Sequence, residues 1–211
     1  MTPALTIVGL DLDNTLVTYD DLFHALALER GLIDAATPRL KRDIRDLIRG
    51  SLDGEAVWRT LQALAYGRRM PEATLVDGVA EFLAACRRRG ADVHIVSHRT
   101  SYAAADPTGT DLRQSALDWM RGHGFFDPAG FGLDESRVWF ESTRAAKIER
   151  IRSLGCTHFV DDLEEVFAEP SFPATVVKVL YAPSNGGAPP AGDVTVLPRW
   201  DDIGRHIFGG R

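Results

Sequence analysis

Five short apolar runs punctuate the chain, at Leu5–Leu10, Val93–Ser97, Thr157–Val160, Thr175–Tyr181 and Val194–Leu197. They are nearly continuous rather than alternating, which is the pattern of strands covered on both faces. Between them, apolar positions recur at intervals of three and four, the period of a helix with one buried side. Asp77–Arg89 is followed by Gly90 and Thr143–Leu154 by Gly155, and glycine there ends a helix by adopting positive φ. Asp111–His123 and Trp200–Phe208 read as helices too. Strands alternating with helices predict an α/β fold, a Rossmann-like doubly wound parallel sheet, with its ligand crevice beyond the carboxyl ends of the strands.

Residues 19–74 break the alternation. Three helical patterns follow one another without a strand: DDLFHALALER, PRLKRDIRDLIRG and DGEAVWRTLQALAYG. In the second, Pro38 suits a first turn, and Leu40, Ile44, Leu47 and Ile48 share one face. The expectation is a core domain of residues 1–18 and 75–211, interrupted by a small all-helical cap at 19–74. The Pro- and Gly-rich stretch 182–193 reads as a surface loop.

Composition narrows the setting. A net charge of −6 with no basic run argues against nucleic acid as a partner. No run reaches the ~18 apolar residues of a membrane span. The N-terminus lacks the basic start and cleavage site of a signal peptide. Cys86 and Cys156 lie far apart in no metal-type spacing, so neither a disulfide framework nor a zinc site is expected. A cytoplasmic protein is the expectation.

The chemistry gathers at strand ends. The first run, IVGLDLDNTLV, closes in Asp11 and Asp13, which point the same way because they are two apart at a strand tip. The run ADVHIVSHRT ends in Ser97, His98 and Arg99, and CTHFVDDLEEV ends in Asp161 and Asp162. Lys147 lies near the start of the helix that feeds the latter. Four carboxylates brought to one sheet edge repel one another unless a cation joins them. Oxygen ligands without His or Cys indicate Mg²⁺.

These residues resemble the motifs of the haloacid dehalogenase-like superfamily. DLDNT is similar to its first motif, Ser97 to its second, Lys147 to its third and VDDLEE to the double-aspartate form of its fourth. The helical segment after the first motif resembles the cap many members carry there. The resemblance implies a Mg²⁺-dependent phosphomonoester hydrolase acting on a small phosphorylated substrate. Asp11 is then the nucleophile that forms an aspartyl-phosphate, and Asp13 the general acid and base. Ser97 and Lys147 hold the phosphate. Asp11, Asp13 (through its carbonyl) and Asp162 hold the metal, with Asp161 behind them or on it. Asp13 favours phosphoryl chemistry, because dehalogenases of the family lack an acid at that place. A phosphotransferase or sugar phosphomutase shares every one of these residues, and a non-catalytic binding module on the same fold is a further alternative. His98 and Arg99, and Arg68 and Arg69 of the insert, are candidate substrate contacts. The insert is expected to act as a lid that sets substrate choice, with Trp58 among its candidate determinants.

Overall fold

The computed structural model describes residues 5–183 and 192–209. Residues 184–191 of the loop expected at 182–193 fall outside the described residues. In chain order the elements are β1 (Ile7–Leu10), β2 (Val17–Thr18), α1 (Asp20–Glu29), α2 (Lys41–Arg49), α3 (Gly54–Tyr66), β3 (Thr74–Leu75), α4 (Val79–Arg89), β4 (Asp92–His98), α5 (Leu112–Gly122), β5 (Val138–Glu141), α6 (Arg144–Ser153), β6 (His158–Asp161), α7 (Glu164–Phe167), β7 (Val177–Tyr181), β8 (Val194–Leu197) and α8 (Trp200–Phe208). Among the described residues no helix is long and apolar enough to cross a membrane.

The chain divides into two compact units. The first, of Met1–Leu16, Val76–Arg99 and Gly124–Arg211, is an α/β unit. Its six-stranded sheet has the order β5-β4-β1-β6-β7-β8, and every neighbouring pair is parallel. The doubly wound sheet expected from the apolar runs is therefore present. Strand β1 is central because it is covered on both faces, with Val8 and Leu10 fully buried on one and Gly9 buried on the other. The order runs one way from β1 through β4 to β5 and the other way from β6 to β8, so β1 lies at the switch point where such sheets open a crevice. On one side Phe159, Phe167, Phe172, Ile148 and Ile151 form a buried cluster. Gly9 makes room for it, since a Cβ there would stand 2.5 Å from the Phe159 ring. Elsewhere in the unit, Trp200 packs between Phe82 and Tyr181, with ring centroids 4.9 and 5.7 Å away.

Strand β5 is a difference from the sequence reading, which left Val138–Glu141 unassigned. VWFE is half-buried at every position because it is the sheet edge, so it has neither the continuous apolar run of a central strand nor a clean alternation. Its backbone matters to the site, because the Glu141 carbonyl accepts from the Arg99 N–H at 2.9 Å.

The second unit comprises Val17–Leu75 and Thr100–His123. Strands β2 and β3 pair antiparallel, Val17 with Leu75 and Thr18 with Thr74, and close the ends of the insert. Helices α1, α2 and α3 pack on one another. Phe23 stacks on Trp58 at 4.7 Å, and Tyr19 meets Tyr66 edge-on at 4.8 Å. Helix α5 belongs to this unit, although the sequence reading placed its segment in the core. It buries Ala116, Trp119 and Met120, and the Trp119 indole donates to the Ala73 carbonyl at 2.9 Å.

Candidate active site

The site is built where the α/β unit's central strands end. Past Leu10 the chain stays in the sheet for one more residue, the Asp11 N–H donating to the Val160 carbonyl at 2.9 Å. Leu12 is fully buried in the core, which sends Asp11 and Asp13 to the opposite side. The chain then turns at Asn14, whose φ is 57°, a left-handed conformation that asparagine tolerates better than most residues. The register pairs Leu10 with Ile95 on β4 and with Val160 on β6. The strand-end residues Ser97, Asp161 and Asp162 therefore come to the same edge.

Helix α6 supplies the cation. The Thr143 hydroxyl caps it by accepting from the Ala146 N–H at 3.1 Å, a bond that fixes the first turn. Lys147, one turn in, projects its ammonium 2.5 Å from Asp11 Oδ1 and 2.7 Å from Asp161 Oδ2. All three side chains are buried. The Lys147 ammonium also lies 5.5 Å from the Phe159 ring centroid. Arg144, at the start of the same helix, pairs with Glu169 at 3.1 Å.

Desolvation by burial pushes the Asp11 carboxyl well above its ordinary range. Lys147 opposes that rise, and the charges of Asp161, Asp162 and Asp13 add to it. Burial alone would lower Lys147, but its two carboxylate partners outweigh that and raise it. Arg99 supplies a second cation, its Nη2 2.5 Å from Asp13 Oδ1.

Asp11, Asp161 and Asp162 each offer a carboxylate oxygen, and these atoms lie within 4.8 Å of one another. Thr15 makes long contacts from its hydroxyl to Asp162 Oδ1 (3.4 Å) and Asp11 Oδ2 (3.5 Å). Counted as ionised, the four carboxylates Asp11, Asp13, Asp161 and Asp162 exceed the cations Lys147 and Arg99 by two charges. An all-oxygen set with that excess fits a divalent hard cation. Asp161 is the least available of the three, because Oδ2 is on Lys147 and Oδ1 accepts from the Leu163 N–H at 3.0 Å.

Ser97 Oγ is buried and has no hydrogen-bond partner among the described residues. A buried hydroxyl without a partner is uncommon and calls for an explanation. An anionic oxygen arriving at this edge would provide the missing partner.

The remaining candidates lie as follows. His98 is exposed, with Nε2 3.2 Å from the Ser142 carbonyl. Arg99 is buried and engaged with Asp13, an arrangement the sequence reading did not foresee. In the helical unit, Arg68 is exposed. Arg69 is tied at 2.9 Å to Glu29, and also to Glu72. Trp58 is 1% exposed against Phe23, so it serves packing. A cavity of about 510 Å³ lined by Leu83, Cys86, Arg87, Val93, Phe131 and Arg137 lies towards the opposite, amino end of β4, and none of the strand-end acids lines it.

No protein-family model matches the sequence. No curated protein matches it either. Solved structures do. A haloacid dehalogenase-like hydrolase from Streptococcus pneumoniae is similar with a TM-score of 0.56 at 15% identity, covering 94% of this chain and 96% of that one. A family hydrolase from Deinococcus radiodurans, solved with bound phosphate and sodium, gives 0.54 at 18% identity, covering 96% and 95%. The L-2-haloacid dehalogenase RSc1362 gives 0.51 at 13% identity, covering 96% and 98%. The chain has the haloacid dehalogenase-like fold, over nearly its whole length.

Proposed function

We propose that this protein is a Mg²⁺-dependent phosphomonoester hydrolase that works through an aspartyl-phosphate on Asp11. The observation that carries the reading is the convergence of Asp11, the partnerless Ser97 hydroxyl and Lys147 on one sheet edge, beside an acidic cluster with two excess negative charges. A carboxylate nucleophile, a hydroxyl donor and an ammonium are what phosphoryl transfer to an aspartate requires.

In this reading Asp11 attacks phosphorus, the bond from phosphorus to the ester oxygen breaks, and Asp13 gives that oxygen its proton. Asp13, now a carboxylate, takes a proton from water as the water attacks the same phosphorus. The bond to Asp11 breaks, inorganic phosphate leaves and Asp11 is restored. Ser97 and Lys147 hold the other phosphate oxygens. Mg²⁺ held by Asp11, Asp162 and the Asp13 carbonyl would offset the repulsion between the nucleophile and an anionic phosphate. Asp13 separates this reading from dehalogenation, which needs no proton donor at that place. Selection among phosphorylated metabolites is assigned to the helical unit, which the chain enters at Val17, soon after Asp13.

The test is a phosphate-release screen over sugar phosphates, nucleotides and phosphorylated acids, with and without Mg²⁺. Release that depends on Mg²⁺ and disappears in Asp11→Asn is expected. Conversion of a sugar phosphate into its isomer without release would assign the site to a phosphomutase. Chloride release from a 2-chloro acid would assign it to a dehalogenase.

A further inference from the structure

Strands β1 and β4 each end in a pair of functional residues two apart, Asp11 with Asp13 and Ser97 with Arg99. In such a pair both side chains leave on the same side. The first member of each pair belongs to phosphate chemistry in the reading above. The second members meet each other, with Arg99 Nη2 2.5 Å from Asp13 Oδ1.

Arg99 is not placed like a residue that greets substrate. Its side chain is 3% exposed, against 22% for Asp13, and its backbone is tied to the sheet edge through the Glu141 carbonyl. A guanidinium is planar and presents its N–H groups in a fixed fork, so a buried one holds a carboxylate in one orientation. Asp13 sits at the residue before the left-handed turn at Asn14, and a carboxyl transfers a proton well only when it is held in one orientation. Holding Oδ1 also sets the direction of Oδ2.

We propose that Arg99 is a positioning residue that aims the Asp13 carboxyl for proton transfer to the leaving oxygen, rather than a substrate contact. The inference rests on the phosphohydrolase reading of Asp11 and Asp13. Its consequence depends on the leaving group. An alkoxide leaves poorly without a proton, whereas p-nitrophenolate leaves without one. Misaiming Asp13 therefore slows the first chemical step on alkyl esters far more than on the aryl ester. A contact from Arg99 to the phosphate, or a structural defect, slows both alike.

The experiment compares wild type, Arg99→Lys and Arg99→Met on n-butyl phosphate and p-nitrophenyl phosphate, with folding checked by circular dichroism. The quantity read is kcat/KM, which reports the steps up to formation of the phosphoenzyme. In Arg99→Met the preference for the aryl over the alkyl ester is expected to rise by about 100-fold, the scale of a misplaced general acid. Arg99→Lys keeps the charge without the fork, so it is expected to rise by about tenfold. It also carries the test if the Met variant does not fold. Equal losses on both esters would overturn the role of Arg99 while leaving the phosphohydrolase reading intact. A wild-type protein that hydrolyses neither ester would overturn both.

Discussion

Lys147 Nζ lies 2.5 Å from Asp11 Oδ1, and both groups are buried. The pair joins the middle of the sheet to the first turns of α6 across 136 positions of sequence. An ammonium so placed opposes the rise that burial imposes on the Asp11 carboxyl and, in the proposed reaction, stays to neutralise the phosphate that arrives. Removing it leaves Asp11 and Asp161 buried without their counter-charge. Lys147→Met is therefore expected to lose turnover and to destabilise the fold by about 3–5 kcal/mol, the usual cost of breaking a buried ion pair on one side. Urea denaturation measures this, and a loss under about 1 kcal/mol would mean that the pair is not held as described.

The two adjacent acids differ in what holds them. Asp161 is fully buried and spends one oxygen on Lys147 and the other on the Leu163 N–H, whereas Asp162 is only partly buried. Asp162→Ala is expected to raise the Mg²⁺ concentration for half-maximal activity by about 10–100-fold. Asp161→Ala is expected to lower thermal stability more than it shifts the metal requirement. Metal titrations and melting curves on both variants check the division, and a reversed order would exchange the two roles.

The cysteines give a pH dependence. Burial pushes the Cys86 thiol from its ordinary 9.0 up to about 12, and Cys156 up to about 11. The folded protein thus favours the neutral thiols more than the unfolded chain does. That contribution to stability is fully present below pH 9 and is lost as pH rises through the folded values. Neither thiol should react with a disulfide reagent in the native protein at pH 8, and both should react in guanidinium chloride. Rapid native labelling of either would contradict their burial.

Much of this was legible before any coordinates. Central strands such as Leu5–Leu10 and Val93–Ser97 are covered on both faces and announce themselves as apolar runs, and the acids at their tips stand out against that background. Lys147 was legible because a helix start preceding a strand is a defined place in an α/β chain. Strand β5 was not, since an edge strand is half-buried and its pattern is mixed. Nor was the burial of Trp58, because an aromatic residue on an amphipathic helix reads the same whether it meets a neighbouring helix or a ligand. The contact of Arg99 with Asp13 joins residues 86 positions apart, and local pattern holds no trace of such a pair. The placement of residues 100–123 with the helical unit likewise depends on which neighbour buries Trp119 and Met120, a tertiary matter.

The central claim is that Asp11 carries the phosphoryl group, and trapping that species tests it most directly. In this reading Asp13→Asn lacks the base that activates water, yet p-nitrophenolate leaves without an acid, so the phosphoenzyme should accumulate in this variant. Acid quench, reduction with tritiated borohydride and peptide mapping would locate it. The account predicts label in the peptide containing Asp11, as the reduced side chain, in an amount approaching one per protein. Label on another residue, or a burst of p-nitrophenol with no label on Asp11, would contradict it.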